Sequence, residues 1–213
     1  KAIIDYTIEK LRDVPEIKDI FVVTNSKFYE DFVQWKNEYN GAKNIIIVND
    51  GTKSNEDRLG AIGDLHLILQ QQHINEDLLV IAGDNLFQFS LKDFVDFFHQ
   101  EKSTLVAFHD MKEVEKIKRK YGVGVLNGTR LVDFEEKPIN PSSTLASTAC
   151  YLFAAKDLTI VPDLVRQGKA DAPGHLIKWL MEKSQVRGFV FDGAWFDVGS
   201  FESLKEAEEV YRR

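Results

Sequence analysis

Residues 78–85 read Leu78-Leu79-Val80-Ile81-Ala82-Gly83-Asp84-Asn85. Four consecutive apolar residues without alternation are too short for a core helix, so they read as a strand buried on both faces. The run ends abruptly in a carboxylate. Strands of this kind belong to α/β sheets, whose ligands bind beyond the carboxyl ends of the strands. A second apolar segment, Gly193-Ala194-Trp195-Phe196, also runs into a carboxylate, Asp197, followed by Val198-Gly199. Two acidic residues at strand ends, 197 − 84 = 113 positions apart, suggest a hard-cation site at the carboxyl edge of the sheet.

On either side of this strand the apolar pattern changes period. Ile3, Ile4, Ile8 and Leu11 recur at helical spacing, and 20–24 reads as a strand. Phe28, Phe32, Trp35 and Tyr39 form one helical stripe, and 45–48 is a further strand. Residues 56–69 read as a helix with Leu59, Ile62, Leu65 and Leu69 inward. A helix over 90–100 and a strand over 104–108 follow. This alternation predicts an α/β fold with a Rossmann-like, doubly wound, mostly parallel sheet.

Beyond Lys120 the pattern is different. Strands at 121–126 and 130–134 are joined by Asn127-Gly128, a type I′ hairpin signal. A strand at 148–153, helices at 156–167 (closed by Gly168) and 174–183, and a strand at 186–191 come next. Ser200 is positioned to cap a last helix with Phe201, Leu204, Ala207 and Val210 inward. No repeat, low-complexity tract or linker divides the chain. It reads as one domain, 1–213, with 121–192 as a hairpin or lid insertion packed on the same core.

The 213 residues are 44% hydrophobic and 29% charged, as in a globular protein rather than a disordered one. A formal net charge of −7 disfavours broad binding to nucleic acid or anionic membrane, while a local basic pocket for a phosphate stays open. Cys150 is the only cysteine, which excludes an intrachain disulfide and suits a reducing compartment. With neither a signal peptide nor a membrane-length apolar run, the expected location is cytoplasmic. The five histidines lack metal-ligand spacing, and the phenylalanines of 87–98 read as core.

A third element is Phe134-Glu135-Glu136-Lys137-Pro138, at the end of a hairpin strand. The proline biases Lys137 toward extended geometry. Glu136 offers an acceptor for sugar hydroxyls and Lys137 a cation for a phosphate. In order along the chain, Leu59-Gly60, Gly83-Asp84-Asn85, Tyr121-Gly122-Val123, Phe134–Pro138, Thr148-Ala149-Cys150-Tyr151 and Trp195-Phe196-Asp197-Val198-Gly199 resemble the sugar-1-phosphate nucleotidyltransferases, especially the glucose-1-phosphate thymidylyltransferase-like branch.

That resemblance implies an enzyme joining a nucleoside triphosphate to a sugar 1-phosphate, with release of pyrophosphate. Carried over by position, Asp84 and Asp197 hold a catalytic Mg²⁺, Glu136 binds sugar hydroxyls and Lys137 the sugar phosphate. Gly60 lies near the base or ribose, Asn85 and Gly122 belong to the substrate site, and Tyr151 lies against the sugar. Homo-oligomers are left open, as are the sugar and the base. The segment before Gly60 departs from the family pattern, with Ala61 where a threonine is frequent.

Relatives open with a strand and a glycine-rich loop containing Gly-Thr-Arg, then a Pro-Lys pair, which cradle the triphosphate. None of these is in the sequence, so the 213 residues are expected to turn over poorly or not at all. The missing strand is expected between 20–24 and 78–81. Two other functions stay open. One is a non-catalytic regulatory subunit binding nucleotide sugar. The other is a nucleotide-sugar-dependent glycosyltransferase, against which the lack of an Asp-x-Asp pair at Gly83-Asp84-Asn85 counts.

Overall fold

The computed structural model describes residues 1–169 and 171–211; residues 170, 212 and 213 of the expected single domain lie outside them. The amino-terminal part holds α1 (Ile3–Lys10), β1 (Asp19–Thr24), α2 (Tyr29–Glu38), β2 (Asn44–Asn49) and α3 (Ala61–Gln71). It continues through β3 (Leu78–Ile81), β4 (Asn85–Phe87), α4 (Leu91–Glu101) and β5 (Thr104–Asp110). Then follow α5 (Val114–Ile117), β6 (Gly122–Asn127), β7 (Arg130–Glu136), β8 (Leu145–Phe153) and α6 (Val161–Arg166). The chain closes with α7 (Pro173–Lys183), β9 (Val186–Phe191), β10 (Trp195–Asp197) and α8 (Phe201–Tyr211).

The central sheet has six strands in the order β3-β8-β5-β9-β7-β6. Residues 121–192 supply four of them. The α/β class holds, but the expectation of a mostly parallel sheet needs correction. Within this sheet only β5 and β9 pair in parallel, whereas β8 runs antiparallel to β3, β5 and β6. The reason lies in the order. β8, reached through the β6–β7 hairpin, inserts in reverse between β3 and β5. Consequently β3, β5, β6 and β9 still point the same way, and their carboxyl ends share one edge. β1 and β2 form a separate parallel pair that does not join this sheet, although both strands contribute to its core.

Alternation along the strands builds two cores. Leu105 and Ala107 of β5, with Cys150 and Leu152 of β8, pack against Leu11, Phe94 and Phe98. Val106 and Phe108, with Tyr151 and Phe153, face the opposite way onto Ile62, Leu164, Leu176 and Ile177. The sheet is therefore covered on both faces by helices. Each fully buried side chain of the size of Phe94 contributes about 1.5–3 kcal/mol. The phenylalanines expected in the core are there, with the Phe89 ring stacked on Phe87 and tilted against Phe191, centroids 4.4 Å apart in each pair.

Local boundaries follow turn chemistry. Ser90 caps α4 by accepting the backbone N–H of Asp93 at 3.1 Å. The helix expected over 56–69 begins only at Ala61, because Gly60 sits at φ +78° and Asp57 gathers the N–H groups of Lys53 and Ser54 into a turn. The β6–β7 turn is Gly128-Thr129 rather than Asn127-Gly128, since Asn127 still pairs with Arg130. Only Gly128 has positive φ, which is the type II′ pattern rather than type I′. In α8, Ala207 is buried but Phe201 is 88% exposed and Val210 is exposed, so the expected inward stripe is narrower. Ser200 does accept the N–H of Ser203. Among the described residues no helix is long and apolar enough to cross a membrane.

Candidate active site

Asp84 follows β3 in a tight turn, where the N–H of Asn85 bonds to the carbonyl of Ala82. The chain then enters β4, which pairs antiparallel with β10, setting Asn85 opposite Asp197. The N–H of Val198 donates to the Asp84 carbonyl at 2.8 Å. Two segments remote in sequence are thus tied backbone to backbone at both acidic residues. The buried Asn85 side chain donates through Nδ2 to Asp84 Oδ1 at 2.8 Å and accepts from Trp195 Nε1 at 2.6 Å. Trp195 in turn packs edge-on against Tyr121, with ring centroids 4.9 Å apart. The Asp84 carboxylate is therefore aimed by a chain of buried partners.

Asp197 is half-buried, and its carboxyl is held above the usual range first by burial and then by the charge of Asp84, with Lys137 pulling it down. Asp197 thus responds to both Asp84 and Lys137. Two carboxylates near enough for one to act on the other, Asp84 exposed and Asp197 half-buried, suit a hard divalent cation, and such ions take one or two protein carboxylates with substrate phosphates and water completing the shell. Among the described residues no group of three or more His, Cys, Asp or Glu could hold a metal by protein ligands alone.

Glu136 ends β7 and Lys137 begins the turn after it. Lys137 is not extended as its place before Pro138 suggested; its φ is +46°. Its N–H bonds to the Tyr121 carbonyl, and the Pro138 carbonyl accepts from the Arg119 N–H, so two bonds to one neighbouring segment fix the left-handed conformation. A non-glycine residue held there costs on the order of 1–3 kcal/mol, a strain that concentrates at functional sites. The Glu136 carboxyl is raised by burial, while Lys137, His175 and Lys178 draw it down.

Gly122 and Gly174 explain how Glu136 fits. A Cβ on Gly174 would lie 2.1 Å from Glu136 Oε2, and one on Gly122 would lie 2.5 Å from the Phe134 ring. Both glycines therefore make room for the Phe134-Glu135-Glu136 strand end, and the space beside Gly122 is taken by protein. Tyr151 is only 5% exposed, stacks on Phe153 and shares a hydrogen bond with Ser147. It lies in the core close to Glu136, whose charge, after burial, helps raise its phenol pKa.

A cavity of about 380 Å³ unites Gly60, Ala61, Asp50, Asp64, Glu136 and Lys137. The structure thus brings Gly60, Glu136 and Lys137 to one cavity, and sets Asp84, Asn85 and Asp197 together with Lys137 near enough to act on Asp197. Gly122 and Tyr151 stand behind Glu136. Asp64, Gly174, His175 and Lys178 were not singled out from sequence. The one faint signal was Asp64, a carboxylate within an otherwise apolar first turn of α3.

The Asp64 carboxyl is raised to about 6, first by burial and then by Asp50. For an acid raised on folding, the stabilising contribution is present below the unfolded value near 4 and lost as pH rises through about 6. Asp64→Asn is therefore expected to be more stable than the parent at pH 8 by roughly 1–2 kcal/mol after discounting for partial exposure, to melt correspondingly higher there, and to lose that advantage at pH 4. Thermal melts followed by circular dichroism at the two pH values check this; equal shifts at both would contradict it.

Comparison with known proteins shows the family and the fold. The sequence profile of the family described as "Nucleotidyl transferase" matches residues 1–213. The glucose-1-phosphate adenylyltransferase of Thermosipho africanus (strain TCF52B) is 30% identical over 138 residues, covering 62% of this chain and 33% of that protein. A protein named "Putative mannose-1-phosphate guanyltransferase" in Sulfolobus acidocaldarius is 29% identical over 204 residues, 93% of this chain and 51% of that protein. The chain thus spans between a third and about half of the length of these curated relatives. The crystal structure of an apo UDP-glucose pyrophosphorylase superposes over 100% of this chain and 87% of its own, with a TM-score of 0.80 at 18% identity, which bears on the fold alone.

Proposed function

This chain belongs to the nucleotidyl transferase family, and on that premise we propose that it transfers a nucleotidyl group from a nucleoside triphosphate to a sugar 1-phosphate with Mg²⁺. An oxygen of the sugar phosphate attacks the α-phosphorus, a new P–O bond forms, and pyrophosphate leaves with the electron pair of the broken bond. A phosphate monoester is largely dianionic at neutral pH, so the nucleophile needs no side-chain base. What the protein must supply is position and neutralised charge.

The single observation that carries this reading is the convergence of Asp84 and Asp197 beside Lys137. In it, Asp84 and Asp197 hold the Mg²⁺, whose contribution when bound is Lewis-acid neutralisation of phosphate oxygens. Lys137 receives the sugar phosphate and Glu136 the sugar hydroxyls, with Gly60 near the nucleoside. The names of the relatives, built on glucose 1-phosphate and mannose 1-phosphate, favour a hexose 1-phosphate as acceptor.

A panel of nucleoside triphosphates against hexose 1-phosphates, read by pyrophosphate release and by the reverse pyrophosphorolysis of nucleotide sugars, tests the assignment. Turnover that requires Mg²⁺ and both substrates supports transfer. No turnover in either direction with any pair of substrates contradicts it.

A further inference from the structure

Beside the residues that lead into Asp84, β8 falls out of step with β5. Val106 of β5 pairs with Tyr151 and Phe108 with Ser147, so four steps along β8 (151 − 147) lie opposite two along β5 (108 − 106). Two extra residues are accommodated there, a bulge larger than the usual single insertion. Ala149, within it, has φ +50°. Among the described residues it is the one non-glycine residue inside a strand with a positive φ, in the left-handed region that a Cβ disfavours. Specific bonds close the bulge. On the β5 side the buried Thr148 hydroxyl donates to the Ala107 carbonyl at 3.0 Å. On the β3 side the Ala149 carbonyl accepts the N–H of Ala82 at 3.0 Å, one rung past the Ile81–Cys150 pair.

That last bond fixes one end of the turn that carries Asp84. The Ala82 carbonyl accepts the N–H of Asn85, and the Asp84 carbonyl accepts that of Val198. A Cβ on Gly83 would meet nothing within 4 Å, and Asp84 is exposed, so side-chain packing does not set the turn. Backbone bonds and the Asn85 amide set it. A strand paired without a bulge would need no left-handed alanine, and strain of this kind persists where the surroundings impose it, most often at functional sites. On the transfer reading, in which Asp84 and Asp197 share a cation, we propose that Ala149 is a positioning residue for the reaction. Its left-handed backbone, braced by Thr148, presents the carbonyl that anchors the Asp84 turn within reach of that cation.

Titration with Mn²⁺ followed by electron paramagnetic resonance reads this site without turnover. It is run beside whichever of GDP-, UDP-, dTDP- and ADP-glucose the parent binds most tightly, and the affinity for that ligand is measured separately by calorimetry in EDTA. Ala149→Gly, which takes the left-handed conformation freely, is expected to hold Mn²⁺ as the parent does and to melt no lower. Ala149→Val is β-branched and poorly suited to positive φ, and Thr148→Val keeps the shape without the hydroxyl. Each is expected to hold Mn²⁺ about 10-fold or more weakly, with the metal-free affinity within about twofold of the parent. Should Ala149→Val not fold by circular dichroism, Thr148→Val decides. Parent-like Mn²⁺ affinity in the folded valine variants overturns the inference. So does loss of Mn²⁺ in Ala149→Gly, or an equal fall in the metal-free affinity. Each of those results leaves nucleotidyl transfer standing, whereas a parent that holds no Mn²⁺ beside any of the four ligands overturns both.

Discussion

Asp84→Asn and Asp197→Asn are each expected to lower the rate of pyrophosphate release by about 10³-fold or more, while the protein stays folded. A thousandfold loss corresponds to roughly 4 kcal/mol of barrier, the scale at which a lost metal carboxylate acts on phosphoryl chemistry. The two changes hit one shared position, so the double variant is expected to be hardly slower than either single one. Stability should move the other way for Asp197. Its carboxyl is raised by burial and by Asp84, so its contribution to stability is present at low pH and lost as pH rises through its folded value. Asp197→Asn is therefore expected to melt no lower than the parent at pH 7.5, and Asn85 remains able to hold the residue at 84 through its Nδ2. Loss of rate together with loss of fold would instead mark the pair as structural. Steady-state rates and melting curves on the same preparations separate the two.

The second large effect is expected at Gly174. An alanine Cβ there would meet Glu136 Oε2 at 2.1 Å, Phe134 Cε1 at 2.9 Å and Glu136 Cδ at 3.1 Å. The carboxylate end of Glu136 can swing away, but the Phe134 ring is 1% exposed and has Gly122 packed close to its Cζ and Cε1 atoms as well. Gly174→Ala is expected to cost about 1–3 kcal/mol, as overpacking of a full core does. For a chain of this size that lowers the melting temperature by roughly 3–10 °C. Because the carboxylate must leave its place, KM for sugar 1-phosphate should rise as it does in Glu136→Gln, while kcat changes less. Gly83→Ala is the contrast, since nothing lies within 4 Å of the added Cβ and its stability should match the parent. An unchanged KM in Gly174→Ala would separate Glu136 from the sugar.

What the amino-acid order revealed and what it hid have physical reasons. The strand ending at Ile81, the Phe87–Phe98 core and the helix expected over 90–100 are local patterns, and each is where its pattern put it, the helix running Leu91–Glu101. The nearness of Asp84 and Asp197 was approached through two strand ends and a family resemblance; what periodicity could not give was the three-residue strand β4 that clamps one to the other. Strand direction was hidden as well, because an apolar run buried on both faces reads alike whichever way its neighbours run. The reversal of β8 between β3 and β5 is a property of the whole sheet. Lys137 illustrates a different limit. The preference of a residue before proline lost to two backbone hydrogen bonds from the segment Arg119–Tyr121, which only the folded chain supplies. Tyr151 and Gly122 carry residue types that suit a sugar site, yet packing around Phe134 and Phe153 claims them. Gly174, 38 positions from Glu136 (174 − 136), makes a long-range contact that no local window contains.

The most direct test is a titration with Mn²⁺ followed by electron paramagnetic resonance, in the presence of saturating nucleoside-diphosphate glucose. A cation shared by Asp84 and Asp197 predicts one tightly held ion per chain in the parent and its loss in both Asn variants. Stoichiometric binding of undiminished affinity in the two variants would place the ion elsewhere and contradict the account.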